Sequence, residues 1–178
     1  MNGKGKDYYS KKRNGKKFEY FKDKYDGEYY YIDKIRFETE YFNGKILKGK
    51  EYYNLGELRY ESEYIKKIRN GQGKEFYNNG KIKFEGEYLN GTRNGKGKEY
   101  DYYNRLIFEG EYLNVEKWNG KGREYVYGDK LKYEGGYLNG KRNGEGIEYE
   151  EGKLAFIGEL LNGKRWNEKE IEYNNDKE

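Results

Sequence analysis

The side chains that could do chemistry in this sequence recur, and that recurrence limits what they can be doing. Carboxylates stand two residues apart in Glu85/Glu87 and Glu109/Glu111, a spacing that puts both on one face of a β-strand. A glycosidase needs one such pair in a cleft, with the two pKa values separated. Here the pair returns again and again opposite Lys and Arg, the pattern of a solvated, charge-balanced face. Gly95-Lys96-Gly97-Lys98 lacks the Gly-Lys-Ser/Thr of a phosphate loop and is also periodic. The chain contains no His and no Cys, so acid–base work by imidazole, thiolate nucleophiles, and His- or thiolate-ligated metal sites are excluded. Ser10 and Ser62 have no base of the usual kind to form a triad with. The chain therefore reads as a non-enzyme, with no catalytic, cofactor or metal site and no small-molecule substrate.

Binding residues are easier to nominate. Arg69, Arg93, Lys117, Arg142 and Arg165 precede the Asn-Gly of successive sequence blocks. Stacked, they are expected to line one rim, where they could meet phosphates, anionic head groups or an acidic protein. Against that, columns of Glu38, Glu61, Glu85, Glu109 and Glu134 run alongside, and a net charge of +4 is well short of a strongly basic nucleic-acid binder. The competing reading is alternating charge that keeps a thin sheet in solution. Trp118 falls in an apparent insertion, Val115-Glu116-Lys117-Trp118, and Trp166 in a comparable turn position. No packing rule of the repeat requires either, so both are candidate contact residues. The Tyr-dense run Tyr29-Tyr30-Tyr31, near Lys11-Lys12-Arg13, is a third candidate, as a cap or as a partner-binding segment.

The elements that must position these residues are legible from a repeat. Six segments align on an aromatic-Glu-x-Glu-aromatic core and begin at Phe37, Tyr60, Phe84, Phe108, Tyr133 and Phe156, spaced by 23, 24, 24, 25 and 23 residues. A second block follows, as in Asn94-Gly-Lys-Gly-Lys-Glu-Tyr100 and Asn143-Gly-Glu-Gly-Ile-Glu-Tyr149. Ile82, Phe84, Gly86 and Tyr88 alternate with Lys83, Glu85 and Glu87, which is strand periodicity with one apolar face. Asn90-Gly91, Asn139-Gly140 and Asn162-Gly163 supply tight hairpin turns, and Asn79-Gly80 joins repeats. With no Pro, no strand loses a ladder hydrogen bond.

Ile, Leu, Val and Phe together make only 31 of 178 residues, which would suggest disorder were there not 24 Tyr to carry the apolar surface. The expectation is an all-β, elongated single-layer antiparallel sheet of tandem hairpins, twisted or curved, advancing about 9.6 Å per repeat. Gly86, Gly95 and Gly97 are expected to leave hollows for rings of a neighbouring repeat.

The recurrent aromatic-Glu-Gly-Glu-Tyr-x-Asn-Gly-Lys-x-x-Gly-x-Gly pattern resembles the MORN repeat over about residues 27–173. Gly86, Tyr88, Gly91, Gly95 and Gly97 carry the match, then Gly110, Tyr112, Gly120 and Gly122. The Glu-Tyr variants look like bacterial antitoxin-type MORN proteins, although the family's frequent Trp is Tyr here. The resemblance implies an elongated sheet used for protein contacts, scaffolding and sometimes membrane association, and an inhibitor that masks an enzyme's surface. A protein partner is the first expectation. The alternative is a peripheral membrane or anionic-polymer module, binding phospholipid or nucleic acid through the basic rim, and self-association is compatible with either. Residues 1–36 read as an irregular N-terminal repeat or cap, 37–160 as the regular array, and 161–178 as a degenerate C-terminal cap with Glu168 and Glu170 in glycine positions. The absence of an apolar leader after Met1, and of any long apolar run, gives a cytoplasmic expectation.

Overall fold

The computed structural model describes residues 48–169 apart from 54, 67 and 128, so the expected N-terminal cap lies outside the described residues. The chain there is all-β, with eleven antiparallel strands in one open sheet. In chain order these are β1 (Lys45–Tyr52), β2 (Leu58–Ile65), β3 (Ile68–Phe76), β4 (Ile82–Leu89), β5 (Thr92–Tyr100) and β6 (Leu106–Leu113). They continue as β7 (Glu116–Val126), β8 (Lys130–Leu138), β9 (Lys141–Glu150), β10 (Lys153–Leu161) and β11 (Lys164–Glu168). Each strand pairs with its neighbours in sequence, so the sheet is an unbroken meander. Among the described residues no helix is long and apolar enough to cross a membrane.

One face carries the core. Tyr64, Phe84, Tyr88, Phe108, Tyr112, Tyr133, Phe156 and Leu160 are buried on it, as their period of two predicts. Among the described residues no second layer covers this face, and the rings pack on one another edge to face. Phe84 meets Tyr88 at 5.6 Å and Tyr112 at 5.0 Å, and Phe108 meets Tyr112 at 5.2 Å and Tyr137 at 5.6 Å. Tyr133 continues the file to Tyr137 at 5.8 Å. Such pairs contribute about 0.5–1.5 kcal/mol each beyond area burial, and here they join one repeat to the next.

The glycine hollows are real, and the register assigns them. Gly97 lies opposite Gly86 on one side and Gly110 on the other, and a Cβ there would stand 2.5 Å from the Phe84 ring. Tyr88 covers Gly73 and Tyr137 covers Gly122 in the same way. Gly95 departs from the expectation. It has φ +98° at a bulge, beside the Glu87 carboxylate rather than under a ring.

Hairpin turns stack across the sheet. Asn90 and Gly91, at φ +51° and +85°, form the mirror-image turn that a two-residue hairpin needs. The Gly91 N–H then donates to the Arg69 carbonyl of the preceding hairpin at 2.8 Å, and Gly140 and Gly163 donate likewise to Trp118 and Arg142. Asn79-Gly80 works differently from expectation. Only Gly80 has positive φ, while the Asn79 side chain accepts the Lys81 N–H in a wider turn.

The segment around Trp118 is not an inserted loop. Asn114 and Val115 make the same two-residue turn as Asn90-Gly91, with Val115 at φ +79° where the hairpins at Asn90, Asn139 and Asn162 carry glycine. The extra residue is absorbed inside β7: Lys117 faces Tyr112 and Asn119 faces Glu111, leaving Trp118 as a bulge. Trp166 is the equivalent bulge of β11.

A β-branched residue in the left-handed region is strained, at roughly 1–2 kcal/mol. Val115→Gly is therefore expected to stabilise the chain by about 1 kcal/mol, read as a higher denaturant midpoint with an unchanged slope.

Candidate interaction surface

The alternation of each strand gives the sheet two chemically different faces. On the aromatic face, the cation of each hairpin sits over the first ring of its own repeat. The distance is 4.3 Å for Arg93 over Phe84, 4.3 Å for Arg142 over Tyr133 and 4.9 Å for Arg165 over Phe156. Each also reaches the glutamate that ends a second block. Arg93 donates to Glu75 through Nε and Nη2 at 2.9 and 2.8 Å, and to Glu99 through Nη1 at 2.9 Å. Arg142 repeats this with Glu124 and Glu148, Arg165 bonds Glu148 at 2.7 Å, and Lys117 bonds Glu99 at 3.0 Å. Tyrosine hydroxyls from the following repeat complete the shell, Tyr64 on Glu51, Tyr88 on Glu75 and Tyr137 on Glu124.

Burial works against the Glu75 carboxylate, yet the hydrogen bonds and charge of Arg93 outweigh it and hold its pKa below the usual range. Glu99 and Glu124 are depressed for the same reason, by Arg93 with Lys117 and by Arg142. Burial first, and then the neighbouring carboxylate, push the Tyr88 and Tyr137 hydroxyls up.

This corrects the expected basic rim. Its five cations do align, but on the core face: Arg93, Lys117, Arg142 and Arg165 meet carboxylates there, and of these Arg165 stays half exposed. Arg93 is only 8% exposed, and Arg69 lies 3.9 Å over the Tyr60 ring. The glutamates read as running beside them point to the opposite face, where Lys50 meets Glu61, Lys74 meets Glu85, Lys98 meets Glu109 and Arg123 meets Glu134.

That opposite face carries an open groove among its charged side chains. The groove, of about 690 Å³, runs over β1 to β6, floored by glycine backbone and banked by Glu61, Glu85, Lys98 and Glu109 on one side and Lys48, Glu63, Glu87 and Lys96 on the other. Along the hairpin rim beside it stand Ile65, Leu89, Leu113, Leu138 and Leu161, between 40% and 57% exposed. They are in phase with the glutamates, two residues on from Glu63, Glu87 and Glu111, and so share their face. The signal was present in the sequence as a branched aliphatic residue before these five hairpin turns, obscured by the louder Tyr and Gly columns. The carboxylate partners Glu75, Glu99, Glu124 and Glu148 were equally visible, as the Glu of every second block.

Of the other nominated residues, Trp118 is half-buried, with its carbonyl tied to Gly140, while Trp166 is 72% exposed. The two lie on β7 and β11 and do not converge. Tyr29, Tyr30 and Tyr31 lie outside the described residues. Among the described residues no group of acidic side chains is placed to hold a metal ion. In comparisons with known proteins, the chain matches no protein-family model and no curated protein.

Two outcomes follow for the carboxylate–arginine ladder. Arg93→Met leaves Glu75 buried without its cation and is expected to cost about 3–5 kcal/mol in chemical denaturation. The depressed glutamates contribute stability that is full above the ordinary carboxylate pKa of 4.5 and is lost as pH falls through their lower native values. Acid titration of the denaturation midpoint should show that loss, and Glu75→Gln should flatten its slope.

Proposed function

We propose that the chain is a non-enzymatic protein-binding scaffold of MORN-like repeats, acting in the cytoplasm as an inhibitor that masks a partner enzyme. The observation that carries this reading is the row Ile65, Leu89, Leu113, Leu138 and Leu161, exposed in register on the face opposite the core. An aliphatic side chain at a fixed solvated position in five successive hairpins is not needed by a fold whose core lies on the other face. Aliphatic side chains held in register among polar ones, beside a polar groove, have the mixed character of a protein interface. The absence of His and Cys from the sequence supports binding rather than catalysis. An anion-binding role has less behind it, since Arg93, Arg142 and Arg165 already face carboxylates.

The test is capture of a partner by the immobilised chain from its native source, followed by reconstitution of the purified pair. The expected result is a complex of fixed stoichiometry that persists at high salt. Recovery of no specific protein, with retention on anionic liposomes or nucleic acid that collapses as salt rises, would overturn the reading.

A further inference from the structure

The rim opposite the hairpin turns joins one repeat to the next, and one of its loops departs from the others. Residues 53–57, 77–81 and 101–105 close alike, the first N–H donating to the fifth carbonyl at 2.8, 2.8 and 3.0 Å. Where residues 78–80 are Asn-Asn-Gly, residues 102–104 are Tyr-Tyr-Asn. Asn104 takes φ +72° where Gly80 takes +79°. Polar residues therefore suffice for such a loop, yet Tyr102 and Tyr103 stand 49% and 65% exposed in this one. Asp101 holds them in place. Its Oδ1 accepts the Tyr103 and Arg105 N–H groups at 2.9 Å each, and its Oδ2 accepts Arg105 Nε at 2.6 Å. Arg105 lies over both the Tyr103 and Tyr125 rings, 5.3 and 3.7 Å from their centres.

The aromatic surface continues past Tyr125. Tyr127, in the β7–β8 turn, is 92% exposed and held at φ +50°, a conformation that strains a bulky side chain. With Val126, Leu131, Tyr149, Lys130 and Glu151 it lines a cavity of about 320 Å³. Hydroxyls set these exposed rings apart from the core. Those of Tyr53, Tyr77, Tyr88 and Tyr137 donate within the sheet. Those of Tyr102, Tyr103 and Tyr127 have no hydrogen-bond partner among the described residues.

The rim thus presents apolar ring surface with hydroxyl donors, and that chemistry selects an occupant. A nucleic-acid backbone needs a positive track to follow, but the loops here carry Lys81, Arg105 and Lys130 against Asp101, Asp129 and Glu151. A sugar needs free polar groups around a flat ring. Here both Asp101 oxygens are taken, and the rings meet as corners, Tyr77 with Tyr102 at 68° and Tyr102 with Tyr103 at 86°. A β-strand needs an open ladder edge, and this rim is made of turns. A polyproline II segment fits. It has no internal hydrogen bonds, so its carbonyls can accept from tyrosine hydroxyls, and its rings seat between aromatic walls. One turn of three residues advances about 9.3 Å, against about 9.6 Å between successive loops of the rim. We infer that this rim docks an uncharged, proline-rich segment of a partner protein through Tyr102, Tyr103 and Tyr127, a partner chemistry that rests on the scaffold reading.

The probe is a labelled polyproline dodecamer, with a Gly-Ser peptide of equal length as control. Fluorescence anisotropy with the full chain should show the polyproline peptide binding about tenfold tighter. The double variant Tyr102→Asn, Tyr103→Asn gives this loop the residues found at positions 78 and 79. It should lose that advantage while keeping its β-sheet circular dichroism. Should it unfold, Tyr127→Asn alone should cut the advantage by about threefold.

Equal binding of the two peptides, or unchanged binding by the folded variants, would overturn the inference. So would tyrosine-dependent binding of maltohexaose or oligothymidylate with none of polyproline, since the rings would then serve a sugar or a base. Retention of an identified native partner by the double variant sinks this docking mode but leaves the scaffold reading standing. Capture of no protein by the wild type sinks the scaffold reading, and this partner with it.

Discussion

A carboxylate placed among aromatic rings must find a cation, because desolvating it alone costs several kcal/mol. In this chain the glutamate that ends each hairpin is placed there by strand alternation, and its cation comes from the hairpin that follows. Glu75 receives Arg93, and Glu124 receives Arg142, each pair 18 residues apart. The same arginine turns back to the glutamate of its own hairpin, 6 residues on, as Arg93 does to Glu99. A ring lies beneath the guanidinium and a tyrosine hydroxyl beside the carboxylate. No hairpin can complete this arrangement by itself, so the unit of folding is a repeat together with its neighbour.

The single-layer core follows from that arrangement. Charged pairs and rings share one face, which therefore needs no covering layer to satisfy it. Glycines at Gly73, Gly97 and Gly122 let the rings lie flat against the backbone, which keeps the layer thin. The opposite face is then released from any structural duty beyond solubility. Its paired Lys and Glu side chains meet that duty, which is why the leucines at its rim stand out as an unneeded expense of exposed apolar surface.

Much of this was legible in the sequence. The repeat, the period of two, the Asn-Gly turns and the glycine hollows follow from local chemistry, and the sheet agrees with them except at Asn79-Gly80 and Gly95. What could not be read was register. Without knowing that Arg93 faces Tyr88 and Glu99 faces Phe84, Arg93 looks like a surface cation and Glu85 like its neighbour. Cross-strand pairing places them on opposite faces. The same gap made Val115 to Trp118 look like a loop. A one-residue insertion in a strand and an insertion in a turn are identical in sequence, and only the pairing of Lys117 with Tyr112 separates them. The aliphatic row was missed for another reason: single exposed leucines are ordinary, and only their alignment across hairpins gives them meaning.

The bulge at Trp118 also falls where the ion-pair ladder is interrupted. Among the described residues, the pairs run from Glu75 through Arg93 and Glu99 to Lys117, and resume from Glu124 through Arg142 and Glu148 to Arg165. None joins Lys117 to Glu124. The rings divide at the same place, into a cluster around Phe84 and Phe108 and another around Tyr133 and Phe156, with half-buried Tyr137 packed against both. A linear array transmits cooperativity only through its neighbour contacts. At β7 the continuity of the array therefore passes from charge to the backbone ladder and to Tyr137, whose ring packs on Phe108 on one side and Tyr133 on the other.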